Sequence, residues 1–190
     1  MPNRVGLLAI QGDFEQHQQA IQTCGVTDVQ TREVRTPEQL AQVDRLILPG
    51  GESTTVGLLL KRYGLGEAIQ QAAKDGMPMW GTCMGMILMA HQVEGREQYT
   101  LDLLDITVRR NAFGSQVHSF EDRVQIPTLK LDNLGVFIRA PIVTRQGDDV
   151  TTFATYNDHV VGVQQGKLLG TSFHPELTED RRLHCWFLEL

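Results

Sequence analysis

The chain has 190 residues, of which 41% are hydrophobic and 21% charged, a balance that supports a folded core and argues against wholesale disorder. Its formal net charge of −6 repels phosphate backbones and disfavours nucleic-acid binding as the main task, and no apolar run approaches the roughly 20 residues that span a bilayer. Three cysteines without a C-x-x-C pair indicate neither a disulfide framework nor a zinc site, and the N-terminal residues lack a long apolar signal region, so a soluble cytoplasmic protein with reduced thiols and no membrane partner is expected.

Residues 4–10 (RVGLLAI) form a continuous apolar run suited to a buried parallel strand, broken by Gln11-Gly12-Asp13. A helical pattern over residues 14–24 follows, with Gly25 as its stop, and residues 28–34 alternate weakly as a second strand. Thr36-Pro37-Glu38-Gln39 predicts a capped helix start, with Pro37 at the first helical position and Gln39 closing a capping box. That short helix ends near Val43. Residues 45–48 make another buried strand, stopped by Pro49-Gly50-Gly51, and helix resumes over residues 53–74. Residues 78–80 are a short strand, and Gly81-Thr82-Cys83-Met84-Gly85 leads into a helical stretch to His91.

The order strand, helix, strand, helix predicts an α/β fold with a central, mostly parallel sheet flanked by helices. Residues 105–173 add short antiparallel strands, with turn signals at Asn133, Gly147, Asn157 and Gly166, and a hairpin of residues 160–165 and 168–173. Residues 178–190 read as a C-terminal helix. No repeat or linker interrupts the chain, so residues 1–190 are expected to form one domain.

Cys83 stands where a strand meets a helix, with glycines at both second neighbours, the pattern of a nucleophile elbow. Small flanking residues let strand and helix backbones approach, a helix N-terminus favours the thiolate, and the Met84 N–H can hold an oxyanion. The commoner fate of a free cysteine is burial as a small hydrophobe, the role expected for Cys24 and Cys185. A cysteine nucleophile needs a base. Of the six histidines, His17, His91 and His184 fall on predicted helices, where exposed or half-buried positions are expected, and His118 and His159 fall in polar loops that leave their roles open. His174 ends a buried strand in Ser172-Phe173-His174-Pro175-Glu176, with Glu176 placed to fix its tautomer, which makes Cys83, His174 and Glu176 a candidate triad. No third ligand at a recognisable spacing accompanies His174 and Glu176, so no metal is expected. The turn Pro49-Gly50-Gly51-Glu52-Ser53 exposes N–H groups beside a helix start and can bind an anion or supply an oxyanion donor, although alone it reads as an ordinary strand-to-helix turn.

Taken together, the glycine loop, the cysteine elbow and the late His-Pro-Glu resemble the class I glutamine amidotransferases. Within them, Leu7 to Gly12 (LLAIQG), Leu46 to Thr55 (LILPGGESTT), the Arg110-Asn111-Ala112-Phe113-Gly114 and Ser119-Phe120 segments, Phe137 to Pro141 (FIRAP) and Ser172 to Asp180 (SFHPELTED) are similar to the glutaminase subunits of pyridoxal 5′-phosphate synthases. The resemblance implies that Cys83 is the nucleophile, with His174 and Glu176 as its relay. It implies that Gly51, Glu52, Ser53, Arg110, Ile138 and Arg139 bind or shape a glutamine site, and that Gly50, Gly51 and Met84 form the oxyanion hole. It further implies L-glutamine as substrate, no cofactor, and a (β/α)8-barrel synthase subunit as the acceptor of ammonia, with low activity until docking. Both arginines sit in runs otherwise apolar, where a cation needs an acidic partner or a substrate carboxylate. Two positions depart from the family's pattern: Met84 where a small residue is usual, and Asn157-Asp158 in place of an Asn-Gly turn. The glutaminase of imidazole glycerol phosphate synthase lacks the GGEST and FIRAP segments, a DJ-1/PfpI-type hydrolase fits His174-Pro175-Glu176 poorly, and an intact triad argues against a catalytically dead binding subunit. Five methionines (Met77, Met79, Met84, Met86, Met89) cluster around the elbow as core residues, a minority of which can border an ammonia path to the synthase.

Overall fold

The first strand, β1 (Asn3–Leu8), is buried because its side chains alternate between two cores: Val5 and Leu7 enter one, Leu8 the other. β3 (Arg45–Leu48) does the same, with Ile47 on one face and Leu46 and Leu48 on the opposite one. The computed structural model describes residues 3–113, 119–129 and 131–190; Gly114 and His118 lie outside the described residues.

β2 (Val29–Val34), β1, β3, β4 (Met79–Thr82) and β12 (Leu168–Thr171) pair in that spatial order, all parallel. Beyond β12 the sheet turns antiparallel through β11 (His159–Gln165), β10 (Thr151–Tyr156), β7 (Ser119–Ile126) and β8 (Leu131–Ile138). A side branch of β5 (Ala90–Val93), β6 (Leu104–Arg109) and β9 (Ile142–Gln146) joins it at β11. α1 (Phe14–Gln22) and α6 (Arg182–Glu189) pack on the face of Trp80 and Phe187. α2 (Pro37–Leu40), α3 (Ser53–Arg62), α4 (Leu65–Lys74) and α5 (Met84–Met89) cover the other face. Among the described residues, no helix is long and apolar enough to cross a membrane.

The sheet is the expected mixed one, and several local readings hold in detail. Thr36 Oγ1 accepts from the Gln39 N–H at the start of α2 as expected, but Gln39 Oε1 accepts from the Arg35 N–H at 2.7 Å, one residue before the cap, so the box closes on Arg35 and not on Thr36. Gln165 pairs with Leu168 across the predicted hairpin turn. Asn157 and Asp158 both adopt positive φ (44° and 63°) between paired Tyr156 and His159, so the Asn-Asp dipeptide supports the same kind of two-residue hairpin loop that Asn-Gly would.

Other boundaries move. The helix expected over residues 53–74 is two helices, because Gly64 takes a left-handed φ of 72° and restarts the chain as α4. The helix expected to reach His91 ends at Met89, where Ala90 turns extended and begins β5. Asn133, read as a turn, is buried within β8 opposite Val124, since the β7–β8 register carries straight through it. The C-terminal helix starts only at Arg182, after a 3-10 turn (Pro175–Leu177) and a segment in which Asp180 accepts from the Arg182 N–H. Met79, Met84, Met86 and Met89 are buried, and Met77 is half-buried against the same core.

Candidate active site

Four parallel strands end on one side of the sheet, and the segments leaving them meet there, as sites in open α/β sheets do. From β1 comes Gln11-Gly12-Asp13, from β3 the Gly50-Gly51 loop, from β4 Cys83 and from β12 His174. They line a cavity of about 540 Å³ together with Glu52, Ser53, Met84, Ile87, Arg110, Asn111, Ser119, Ile138 and Arg139.

Cys83 links β4 to α5 at φ 49° and ψ −102°, a conformation that costs a residue with a side chain about 1–3 kcal/mol and persists only when its surroundings impose it. Its N–H donates to the Thr171 carbonyl at 2.7 Å, tying the elbow to β12. The glycine pattern has a steric cause: a Cβ on Gly81 would fall against the Gly85 backbone, and one on Gly85 against the Leu48 carbonyl. Cys83 itself is 7% exposed, and its thiol donates to the Ile138 carbonyl at 3.6 Å.

His174 lies just beyond β12. Its N–H donates to the Val136 carbonyl at 2.8 Å, and Pro175 opens the 3-10 turn that carries Glu176 back beside it. His174 Nδ1 is 2.7 Å from Glu176 Oε1, with both residues buried. The carboxylate can only accept, so Nδ1 carries a proton and Nε2 is the atom free for proton exchange; Nε2 is buried and has no hydrogen-bond partner among the described residues. Burial works against charge on His174, but Cys83 and Glu176 outweigh it and raise the imidazole pKa. Burial likewise opposes ionisation of Glu176, but His17 and His174 hold its carboxyl below the usual range. The imidazole also explains Gly50, since a Cβ there would collide with His174 Cε1.

Glu52 caps α3, accepting from the Thr54 and Thr55 N–H groups at 3.2 and 2.8 Å. Burial would raise its pKa, but those N–H groups hold it at about 2. Arg110 NH2 sits 3.5 Å from Glu52 Oε1, and its NH1 donates to Gln98 Oε1 at 3.2 Å. Arg110 therefore has the acidic partner that its apolar surroundings demand. Arg139 is exposed at the cavity and makes no ion pair with the described residues. It takes a left-handed φ of 47°, and Asn111 takes 49°, so with Cys83 three non-glycine residues at positive φ border one cavity. Met84 lies against the glycine loop, with its Cε 3.2 Å from where a Gly51 Cβ would stand. Cys24 and Cys185 are far from this site: Cys185 Sγ donates to the Cys24 carbonyl at 3.6 Å, and burial, with Cys185 beside it, pushes the Cys24 thiol up to about 12.

A model of the SNO glutamine amidotransferase family matches residues 7–190. A pyridoxal 5′-phosphate synthase subunit PdxT from Herpetosiphon aurantiacus is 55% identical over 191 residues, covering 98% of this chain and 99% of the relative. The chain belongs to the SNO glutamine amidotransferase family. A PdxT subunit from Geobacillus thermodenitrificans is 49% identical over 187 residues, covering 98% of this chain and 94% of the relative. A solved glutamine amidotransferase superposes with a TM-score of 0.91 at 46% identity, covering 97% of each chain. The PurLQS structure from Thermotoga maritima shares the fold at a TM-score of 0.71 and 18% identity, over 100% of this chain and 99% of that one.

In this amidotransferase the ten cavity-lining residues predicted from sequence (Gly50, Gly51, Glu52, Ser53, Cys83, Met84, Arg110, Ile138, Arg139 and His174) share one cavity, with Glu176 buried behind His174. Sequence reasoning missed Gln11, Gly12, Asp13, Ile87, Asn111 and Ser119 as lining residues. Gln11, Gly12, Asn111 and Ser119 lie within the motifs quoted above, which is the signal that could have singled them out. Ser119 pairs with Ile138 across the β7–β8 ladder, a relation that only the register reveals. His17 was also missed; its Nε2 lies 3.4 Å from Glu176 Oε2.

Proposed function

We propose that the chain hydrolyses L-glutamine to glutamate and ammonia at Cys83 and passes the ammonia to a pyridoxal 5′-phosphate synthase subunit. The observation that carries this reading is the convergence on one cavity of Cys83 in a strained elbow and His174 with a free, buried Nε2, Nδ1 being held by Glu176 at 2.7 Å.

Cys83 Sγ gives its proton to His174 Nε2 and attacks the side-chain amide carbon of glutamine. The resulting oxyanion accepts from the Met84 N–H and from an N–H of the Gly50-Gly51 turn, and loss of one such donor costs roughly 3 kcal/mol of barrier stabilisation. The tetrahedral intermediate collapses, His174 protonates the departing nitrogen, and ammonia leaves a glutamyl thioester on Cys83. Water, deprotonated by His174, adds to the thioester carbonyl; the C–S bond breaks and glutamate departs. Glu176 keeps the imidazole oriented and stabilises its cationic form. Glu52, Ser53, Arg110, Ile138 and Arg139 bind the amino-acid end of glutamine, with Arg139 as the cation whose charge is uncommitted. No cofactor takes part in these steps.

In the isolated chain the Cys83 thiol lies 3.6 Å from the Ile138 carbonyl, which competes with His174 for its proton. Docking of the (β/α)8-barrel synthase against this edge shifts the end of β8 and releases the thiol to its base. On this reading the isolated chain is a slow glutaminase. Ammonia released in bulk water at neutral pH becomes ammonium, which is no nucleophile, so the chemistry calls for a docked acceptor. The test is reconstitution of the chain with the synthase subunit. Glutamine-dependent formation of pyridoxal 5′-phosphate from a pentose phosphate and a triose phosphate is expected, with glutamine hydrolysis faster than in the isolated chain. Glutamine hydrolysis without vitamin formation would overturn the assignment of the acceptor.

A further inference from the structure

We propose that His17, on α1, is a positioning residue for the triad: it secures the second oxygen of Glu176 from behind the active site. The proposal deepens the Cys83–His174–Glu176 reading and rests on it.

Glu176 has two carboxylate oxygens in a fully buried setting. His174 Nδ1 takes Oε1, while Oε2 has no hydrogen bond among the described residues. A buried carboxylate oxygen left without a donor is costly, so a nearby N–H is needed to keep the group ionised. His17 Nε2, itself fully buried, stands 3.4 Å away and also lies 3.2 Å from Thr82 Oγ1, the hydroxyl of the residue before the nucleophile. His17 thus touches both the acid of the triad and the strand end that carries Cys83. Its Nε2–H has two acceptors within reach, the Thr82 hydroxyl oxygen at 3.2 Å and Glu176 Oε2 at 3.4 Å.

The direction of the hydrogen bonds follows from chemistry. His17 Nδ1 is 3.0 Å from Nε2 of His184 on α6. Were the His17 proton on Nδ1, its Nε2 lone pair would face the carboxylate, which repels it. The proton therefore belongs on Nε2, Nδ1 accepts, and His184 Nε2–H is the donor. His184 Nδ1 then keeps only a lone pair, which matches its being buried without a partner. A chain of donors runs from His184 to His17 to Glu176, meeting the bond from His174 on the other oxygen. The groups facing His17 are Glu176, His174, Asp13 and His184, and Arg181 faces His184. Burial, the largest influence, lowers the pKa of both His17 and His184, so both are neutral donors.

The reconstituted complex carries the test. In His17→Leu, kcat for glutamine hydrolysis is expected to fall about tenfold, equivalent to about 1.4 kcal/mol of barrier, with KM changed less than about twofold. His17→Gln, whose amide N–H reaches the position of Nε2, is expected to recover more of kcat than His17→Asn, whose amide reaches only that of Nδ1. Unchanged kcat in His17→Leu, or equal losses in Gln, Asn and Leu that follow a drop in Tm, would reduce His17 to packing and overturn the proposal. Nitrogen-15 spectra of the unmodified protein give an answer independent of any variant's folding: the proton of neutral His17 is expected on Nε2, and a proton on Nδ1 overturns the assignment. Cys83→Ala run in parallel separates the two readings. If it retains glutaminase activity, the triad itself fails and the role of His17 falls with it; if it is inactive while His17→Leu is normal, only the His17 proposal fails.

Discussion

Replacing Gly50 by alanine probes the site with one methyl group. Gly50 does not adopt a positive φ, so alanine fits the backbone, and the peptide N–H and carbonyl of the loop are retained. The added Cβ would collide with His174 Cε1 and lie 3.2 Å from Nδ1 and 3.4 Å from Nε2. To reach a carbon–carbon contact of about 3.5 Å the ring must retreat by about 1 Å. It has little freedom to do so, because Nδ1 is held at 2.7 Å by buried Glu176, and the His174 N–H is bonded to the Val136 carbonyl at 2.8 Å. A misplacement of about 1 Å in a catalytic group costs about 100-fold in rate. Glutaminase assays of Gly50→Ala in complex with the synthase are therefore expected to show kcat down about 100-fold while the protein remains folded by circular dichroism. A folded Gly50→Ala enzyme with unchanged kcat would refute the claim that the His174 ring, as seated over Gly50, is the working base.

Two further outcomes follow from the electrostatics. Burial lowers the pKa of His17 and takes that of His184 well below its ordinary value, so the unfolded chain binds protons near pH 6.5 that the folded chain refuses. The stability they provide is fully present above about pH 6.5 and declines as pH falls, by up to about 1.4 kcal/mol per pH unit for each group. His174, with its pKa raised, acts in the opposite sense: its contribution is complete below about pH 6.5 and is lost as pH rises through the folded value. A Tm maximum near neutrality is expected, and a Tm that stays flat between pH 7 and pH 5 would contradict the neutral burial of His17 and His184. Arg110 bridges Glu52 and Gln98 at the cavity wall, so Arg110→Lys keeps a charge but loses the forked geometry. Its KM for glutamine is expected to rise about tenfold, with a smaller change in kcat; an unchanged KM would remove Arg110 from the glutamine site.

Much of this arrangement was legible in the residues because its causes are local. G-x-C-x-G needs two small residues where backbones touch, Thr36 to Gln39 is a self-contained cap, and His174-Pro175-Glu176 places base and acid two residues apart. What was illegible depends on pairing across the chain. Asn133 has the composition of a turn, yet the β7–β8 ladder runs straight through it. The stretch after Met84 is apolar enough for a longer helix, but pairing with β6 draws Ala90 into a strand. His17 looks like any helix histidine until folding brings Thr82, Glu176 and His184 around it from three other segments. Arg139 carries no sequence sign of its left-handed backbone, which is set by how the end of β8 meets the cavity.

In the mechanism proposed above, glutamine is opened on Cys83. Rapid acid quenching of the complex with glutamine, followed by mass analysis of the peptide that contains Cys83, tests it most directly. A glutamyl adduct on that peptide is expected, formed and lost at rates compatible with turnover and absent in Cys83→Ala. Full glutamine turnover by Cys83→Ala, or an adduct on another residue, would contradict it.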